Sequence, residues 1–195
     1  DIDETDAITL TAVDTADGSI DINAGGEITV VVVNAGPTHD VTLTSAAAID
    51  EDGNTGTVLT ASNLQADAVG PITLDTAVDT ADITTTATGD IDIDETDAIT
   101  LTAVDTADGS IDVNAGGDIT ATSVDTSATD DDANDITLTT TAGNITVWGI
   151  TAGLSGDVTL DSAGHIDENS DAAADISAAT LTAIAATGSI TLDTA

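Results

Sequence analysis

Short runs of alternating apolar and polar residues recur along the whole chain: Ile8-Thr9-Leu10-Thr11, Ile20-Asp21-Ile22-Asn23, Val41-Thr42-Leu43-Thr44 and Ile72-Thr73-Leu74-Asp75. The segments starting at Ile136, Val158 and Ile190 continue the series. A period of two places Ile, Val and Leu on one side of an extended segment and Thr or Asp on the other, so each run predicts a half-buried β-strand. The β-branched residues fit a pleated surface. Between the runs lie glycine-bearing clusters, Asp17-Gly18-Ser19, Ala24-Gly25-Gly26, Ala87-Thr88-Gly89, Thr141-Ala142-Gly143 and Ser162-Ala163-Gly164. These are the places where such a chain turns. No stretch carries a helical period, and the Ala-rich residues 172–186 give the weakest strand signal.

The segment from Asp1 to Thr29 returns at Asp92 to Thr120, an offset of 91 residues, with only Ile22 replaced by Val113 and Glu27 by Asp118. Tandem near-copies indicate stacked repeats. Corresponding strands fall at Ile8, Ile28, Ile49, Ile72, Ile91 and Ile111, and again at Ile145 and Ile166. That spacing predicts an all-β chain, a parallel β-solenoid with roughly 20–23 residues and three short strands per coil. About nine coils stacked at ~4.8 Å give a rod on the order of 40 Å long. The 91-residue offset is expected to hold a whole number of coils, four being preferred. Residues 1–195 read as one continuous solenoid segment, with near-duplicate units starting at 1 and 92, cut from a longer array.

Composition sharpens this picture. The chain has no Lys or Arg, 37 Asp plus Glu and a formal charge of -37, yet 41% of its residues are apolar and its mean hydropathy is +0.19. A core of Ile, Val, Leu and Ala is therefore available, which separates the chain from acidic disordered sequences. Without cations, no residue can grip phosphate, so nucleic acid and anionic lipid are repelled rather than bound. With no cysteine there is neither a disulfide nor a thiolate metal site. No apolar run approaches the ~18 residues of a membrane span. Stacking explains the shortage of large rings, because each inward side chain must pack against its counterpart one coil away. Asn23, Asn34, Asn114 and Asn144, beside glycines, are expected to form hydrogen-bonded ladders at corners. Aligned aspartates ~4.8 Å apart repel by about 0.9 kcal/mol even in water; with no Lys or Arg to offset them, cations or salt must do so.

The segments from Gly18 to Val30 (GSIDINAGGEITV) and from Ala142 to Ile166 (AGNITVWGITAGLSGDVTLDSAGHI) resemble the repeat regions of filamentous-haemagglutinin-like adhesins, which are two-partner-secreted bacterial proteins. The resemblance covers most of the chain as a pattern. It implies a right-handed parallel β-helix and an extended stalk or fibre at a Gram-negative-type cell surface.

Candidate chemistry is sparse. Three stretches carry oxygen ligands at alternate positions: Asp50, Asp52 and Asn54; Asp130, Asp132 and Asn134; Asp167, Asn169 and Asp171. Such spacing is how calcium loops wrap an ion. Thr55, Asp135 and Ala172 stand where the turn glycine of an EF-hand belongs, so that motif is excluded. Diffuse condensation of cations on acidic turns explains the same residues. Paired carboxylates also suit glycoside hydrolysis, but Trp148 alone could stack on a sugar. His39 and His165 read as turn residues, and Asn144-Ile145-Thr146 is a lone glycosylation sequon. Outward Thr-x-Thr units such as Thr9/Thr11 and Thr137/Thr139 resemble ice-binding ranks, broken where Asp75, Asp161 and Asp193 replace the second threonine. The expectation is a non-enzymatic structural module of a large extracellular filament or surface stalk. It is acidic and cation-stabilised, with further copies in cis or by end-to-end stacking and divalent cations as its partners. An adhesive or calcium-binding module of a surface adhesin is the alternative.

Overall fold

A computed structural model describes residues 1–53, 56–169 and 175–193. Among them there is no helix, every strand pairing is parallel, and the strands form one 13-stranded and one 12-stranded sheet. Strands alternate between the two sheets along the chain, so each circuit of about 21 residues lays one new strand, or a pair, on each side of a β-solenoid of about nine turns. The predicted fold class is the one observed.

The core is a set of axial columns. On the 12-stranded sheet Ile8, Ile28, Ile49, Ile72, Ile91, Ile111, Ile136, Val158 and Leu181 lie directly over one another. Across the interior, the 13-stranded sheet stacks Ile2, Ile22, Leu43, Ala66, Ile83, Val104, Val124, Ile150 and Ile176. Between the end coils these side chains are buried to the limit, as at Ile28, Ile49, Ile72 and Ile91. Fully burying each aliphatic residue is worth about 1.5–3 kcal/mol. The first six members of the Ile8 column are those the spacing predicts. Ile145 and Ile166 instead continue a different column, Ile99–Ile119–Ile145–Ile166–Ile190, on the opposite sheet.

That displacement has a general cause. The near-identical segments do not occupy equivalent places. Ile20–Ala24 lies in the 13-stranded sheet and its copy Ile111–Ala115 in the 12-stranded one, while Ile28–Val30 and Ile119–Ala121 are exchanged the other way. Four coils carry Ile8 through Ile28, Ile49 and Ile72 to Ile91, and a further half coil reaches Ile99, the copy of Ile8. The offset therefore spans four and a half coils, not a whole number. Both sides of the coil demand the same alternation at the same strand spacing, so one sequence satisfies either.

The changeover is visible in the middle of the rod. In the early coils the 12-stranded sheet carries the paired short strands, Ile28–Val30 with Val33–Asn34 and Ile49–Glu51 with Leu59–Thr60. Strand Ile72–Ala77 replaces such a pair, with Ile72 on Ile49 at one end and Thr76 and Ala77 on Leu59 and Thr60 at the other. From there the pairs belong to the other sheet, as in Ile119–Ala121 with Val124–Asp125 and Ile145–Val147 with Ile150–Thr151.

Corners are closed by hydroxyls that point inward. Thr106 Oγ1 donates to the Gly109 carbonyl at 2.6 Å, Thr140 Oγ1 to Gly143 at 2.9 Å, Ser162 Oγ to His165 at 3.0 Å and Ser45 Oγ to Ala48 at 2.9 Å. They bind corner carbonyls, of which Ala48, Gly143 and His165 also accept a backbone amide from a neighbouring coil, that of Ile28, Gly164 and Ile145 respectively. Glycine is required where corners stack: a Cβ on Gly116 would lie 1.9 Å from the Thr96 carbonyl oxygen, and one on its copy Gly25 2.2 Å from that of Thr5.

Candidate functional site

The outward residues of the strands form the surface that meets solvent, and their chemistry follows from stacking. In a parallel solenoid each outward side chain faces the one at the same register a coil away. On the 12-stranded sheet Asp92 lies over Asp112, and Asp75 over Asp94 and then Asn114. Although both are exposed, partial desolvation against the sheet raises the carboxyls of Asp92 and Asp112 above the usual aspartate range, and neighbouring carboxylates, Asp112 and Asp94 respectively, push further the same way. Asp75 is raised by burial and by Asp94. On the other sheet Asp105 is raised by burial, then by Asp125 and Asp82. Glu51 is also raised, by burial first and then by Asp75, against a hydrogen bond from the Asp75 amide that lowers it.

Amides take the place that cations hold in other proteins. Asn23, Asn34, Asn114 and Asn144 each donate from Nδ2 to an aspartate Oδ1 of the preceding coil, Asp3 at 3.3 Å, Asp14 at 3.5 Å, Asp94 at 3.1 Å and Asp118 at 3.1 Å. The expected asparagine ladders are thus amide-on-carboxylate pairs, the stronger arrangement because the acceptor is charged. Backbone N–H groups one coil on also serve these rows of acids. Ser110 donates to Asp90 at 2.8 Å, Asn144 to Asp118 at 2.7 Å and Asp157 to Asp135 at 2.8 Å. Glu95 is 4% exposed, and its Oε2 accepts from Thr76 Oγ1 at 2.8 Å and the Val78 amide at 2.9 Å.

The three candidate ion-binding stretches are held in different ways. Asp50 is an outward strand residue paired with Thr29, Asp52 lies just beyond that strand, and Asn54 is outside the described residues. Asp130 adopts a left-handed backbone (φ 51°), which aspartate tolerates, and its Oδ1 accepts from the amides of Leu154 at 2.6 Å and Ser155 at 3.1 Å. Asn134 is buried and spends its amide on Thr129 Oγ1 at 2.8 Å and Asp108 Oδ1 at 3.4 Å, whereas Asp132 is exposed. Asp167 sits in strand Ile166–Glu168 between Thr146 and Thr191, followed by Asn169; Asp171 is outside the described residues. Among the described residues no group of three or more His, Asp or Glu is gathered as a metal site. The surface instead offers rows.

The remaining candidates are also placed. His39 Nε2 lies 3.0 Å from Asp17 Oδ1, and His165 Nδ1 accepts from the Ser189 amide at 3.0 Å. Trp148 is half exposed at the bend between Ile145–Val147 and Ile150–Thr151. The sequon residue Asn144 has both ends of its amide engaged, with Asp118 and with the His165 N–H. Thr137, Thr159 and Thr182 form an outward threonine rank, but alongside it Thr139 gives way to Asp161 and Ile184. The hollow beside the acid block is shallow and lined by Gly56, Thr57, Asp75, Asp94, Glu95, Thr96 and Asn114. The inward hydroxyls escape a reading of alternation alone, although the recurring Thr-x-x-Gly at Thr15, Thr106 and Thr140 is their signature.

Comparison with protein-family models, with curated proteins and with solved structures gives no match for this chain.

Proposed function

We propose that the chain is a structural, non-enzymatic segment of a large extracellular filament or cell-surface stalk of the filamentous-haemagglutinin-like kind. The observation that supports this most is the pair of axial columns, nine aliphatic residues each, running from one end of the rod to the other. Cohesion along the axis comes from backbone ladders and these columns, so the molecule resists bending and stretching rather than enclosing a substrate. The carboxylate rows keep neighbouring rods apart and draw a layer of divalent cations, calcium included, that screens repulsion between coils. With no Lys or Arg, the chain presents nothing to proteases of trypsin specificity, which suits a protein working outside the cell.

Electron microscopy of the native source is the direct test. Filaments or stalks labelled by antibody against the chain are expected; finding it only as dispersed soluble monomers overturns the proposal.

A further inference from the structure

The corner at which the chain passes from the 12-stranded to the 13-stranded sheet changes length along the rod. It takes five residues, 35–39, between Val33–Asn34 and Asp40–Ser45. In each of the next two coils it takes only two, Ala61 with Ser62 and then Val78 with Asp79. It lengthens again to three, 96–98, between Ile91–Glu95 and Ile99–Asp108. These four corners stack in that order, because the strands on either side of them pair coil on coil. Two short corners between longer ones leave a notch in the edge of the rod, about 10 Å tall at the spacing of stacked strands.

The notch holds two adjoining hollows that share Asp79 and Ala98. Its floor is Ala61 and Val78, and its walls are Pro37 on one side and Ala98 on the other, both exposed. Exposed acids stand at the rim, Asp79 and Asp97 beside the first hollow and Asp118 beside the second. Ser62 Oγ donates to Asp79 Oδ2 at 3.2 Å and steadies that carboxylate. The chain has no Lys or Arg to answer these charges. His39, in the same corner as Pro37, lies 3.0 Å from Asp17 of the preceding coil. On the strands, acids are set beside asparagine and threonine; here they flank aliphatic surface.

We propose that this notch docks an extended, lysine-bearing segment of a partner protein. Lysine suits both halves of it. The apolar four-carbon stem lies along Ala61, Val78 and Ala98, and the ammonium reaches Asp79 and Asp97. A further lysine of the same segment serves Asp118 in the adjoining hollow. Complementary charge speeds the encounter, but the acid coat attracts a basic segment everywhere along the rod. The aliphatic floor is what selects the notch. The contact adds a partner to the rod and is independent of how rods assemble.

Fluorescence anisotropy with a labelled peptide of alternating lysine and serine, at physiological salt, tests this. Asp79→Asn combined with Asp97→Asn should weaken binding about tenfold. Asp21→Asn combined with Asp132→Asn removes the same charge elsewhere and should change it by less than about twofold. Ala98→Gln occupies both hollows without altering charge and should weaken binding about as much as the first pair. In the peptide, diaminobutyrate in place of lysine keeps the charge, shortens the stem by two methylenes and should cost about fivefold. Thermal melts show that each variant is folded; should Ala98→Gln not be, the charge pairs and the peptide comparison decide. No binding, equal loss with the distant charge pair, or equal affinity for the shorter stem would leave only diffuse attraction and overturn the notch. Spermidine binding as tightly as the peptide would make the occupant a free polyamine and overturn the protein partner.

Discussion

At the scale of single residues, asparagine and glycine decide where an all-acid surface is tolerated. Asn114 lies between Asp94 below it and Thr139 above, and its amide donates to Asp94 in a chain that has no Lys or Arg to do so. Replacing it with Asp removes a charge-assisted hydrogen bond and sets two carboxylates face to face. Asn114→Asp is expected to lower stability by about 1–3 kcal/mol in urea titration, with much of the loss recovered in high salt. Asn114→Ala should lose less and show little salt dependence. Glycine gives a sharper contrast. Gly116→Ala forces a methyl group into the Thr96 carbonyl and is expected to cost about 1–3 kcal/mol or more. Gly18→Ala, where a Cβ meets nothing within 4 Å, should leave the melting midpoint nearly unchanged.

At the scale of strands and corners, the inward hydroxyls are part of the core even though they are polar. Thr140 is buried and its Oγ1 serves the Gly143 carbonyl. Thr140→Val keeps the shape but removes one of three donors to that carbonyl, leaving the Ser162 hydroxyl and the Gly164 amide, so denaturation should show a loss of only about 0.5–1.5 kcal/mol. This is also the scale at which sequence reading succeeds and then stops. Alternation at Ile8, Ile28, Ile49, Ile72, Ile91 and Ile111 is enough to find a column, because each inward position has one neighbour and one requirement. It does not tell one side of the coil from the other, since Ile20–Ala24 and Ile111–Ala115 are nearly the same strand in different sheets. Only the pairings made by Ile72–Ala77 reveal that half a coil has been added. The acid stretches were visible as composition, but whether Asp130 turns to a backbone amide or to an ion depends on what the next coil presents at Leu154 and Ser155.

Taken as a whole, the molecule's behaviour toward protons should be the reverse of ordinary acid denaturation. Folding raises Asp75, Asp92, Asp105, Asp112 and Glu51, chiefly by partial desolvation and then by like charges. The folded state thus holds protons that the unfolded chain releases, so the stabilising contribution is complete below the ordinary carboxylate values and is lost as pH rises through the raised ones. Thermal melts at fixed ionic strength should show the midpoint climbing as pH falls from neutral into the range just above the ordinary aspartate value of 3.8. A midpoint that falls steadily on acidification would refute the repulsive account of these rows. Calcium acts on the same charges. Millimolar calcium chloride is expected to raise the midpoint beyond sodium chloride of equal ionic strength; no difference would remove any role for bound calcium.

The exchange of sides between the duplicated segments has a consequence for how such a polypeptide grows. A stretch that folds equally well on the left or the right of the stack frees tandem expansion from the need to match full circuits. Copying it lengthens the shaft in half-circuit increments, and successive duplicates look out in opposing directions. Whatever chemistry the stretch displays is then shown on both flanks by a single inheritance.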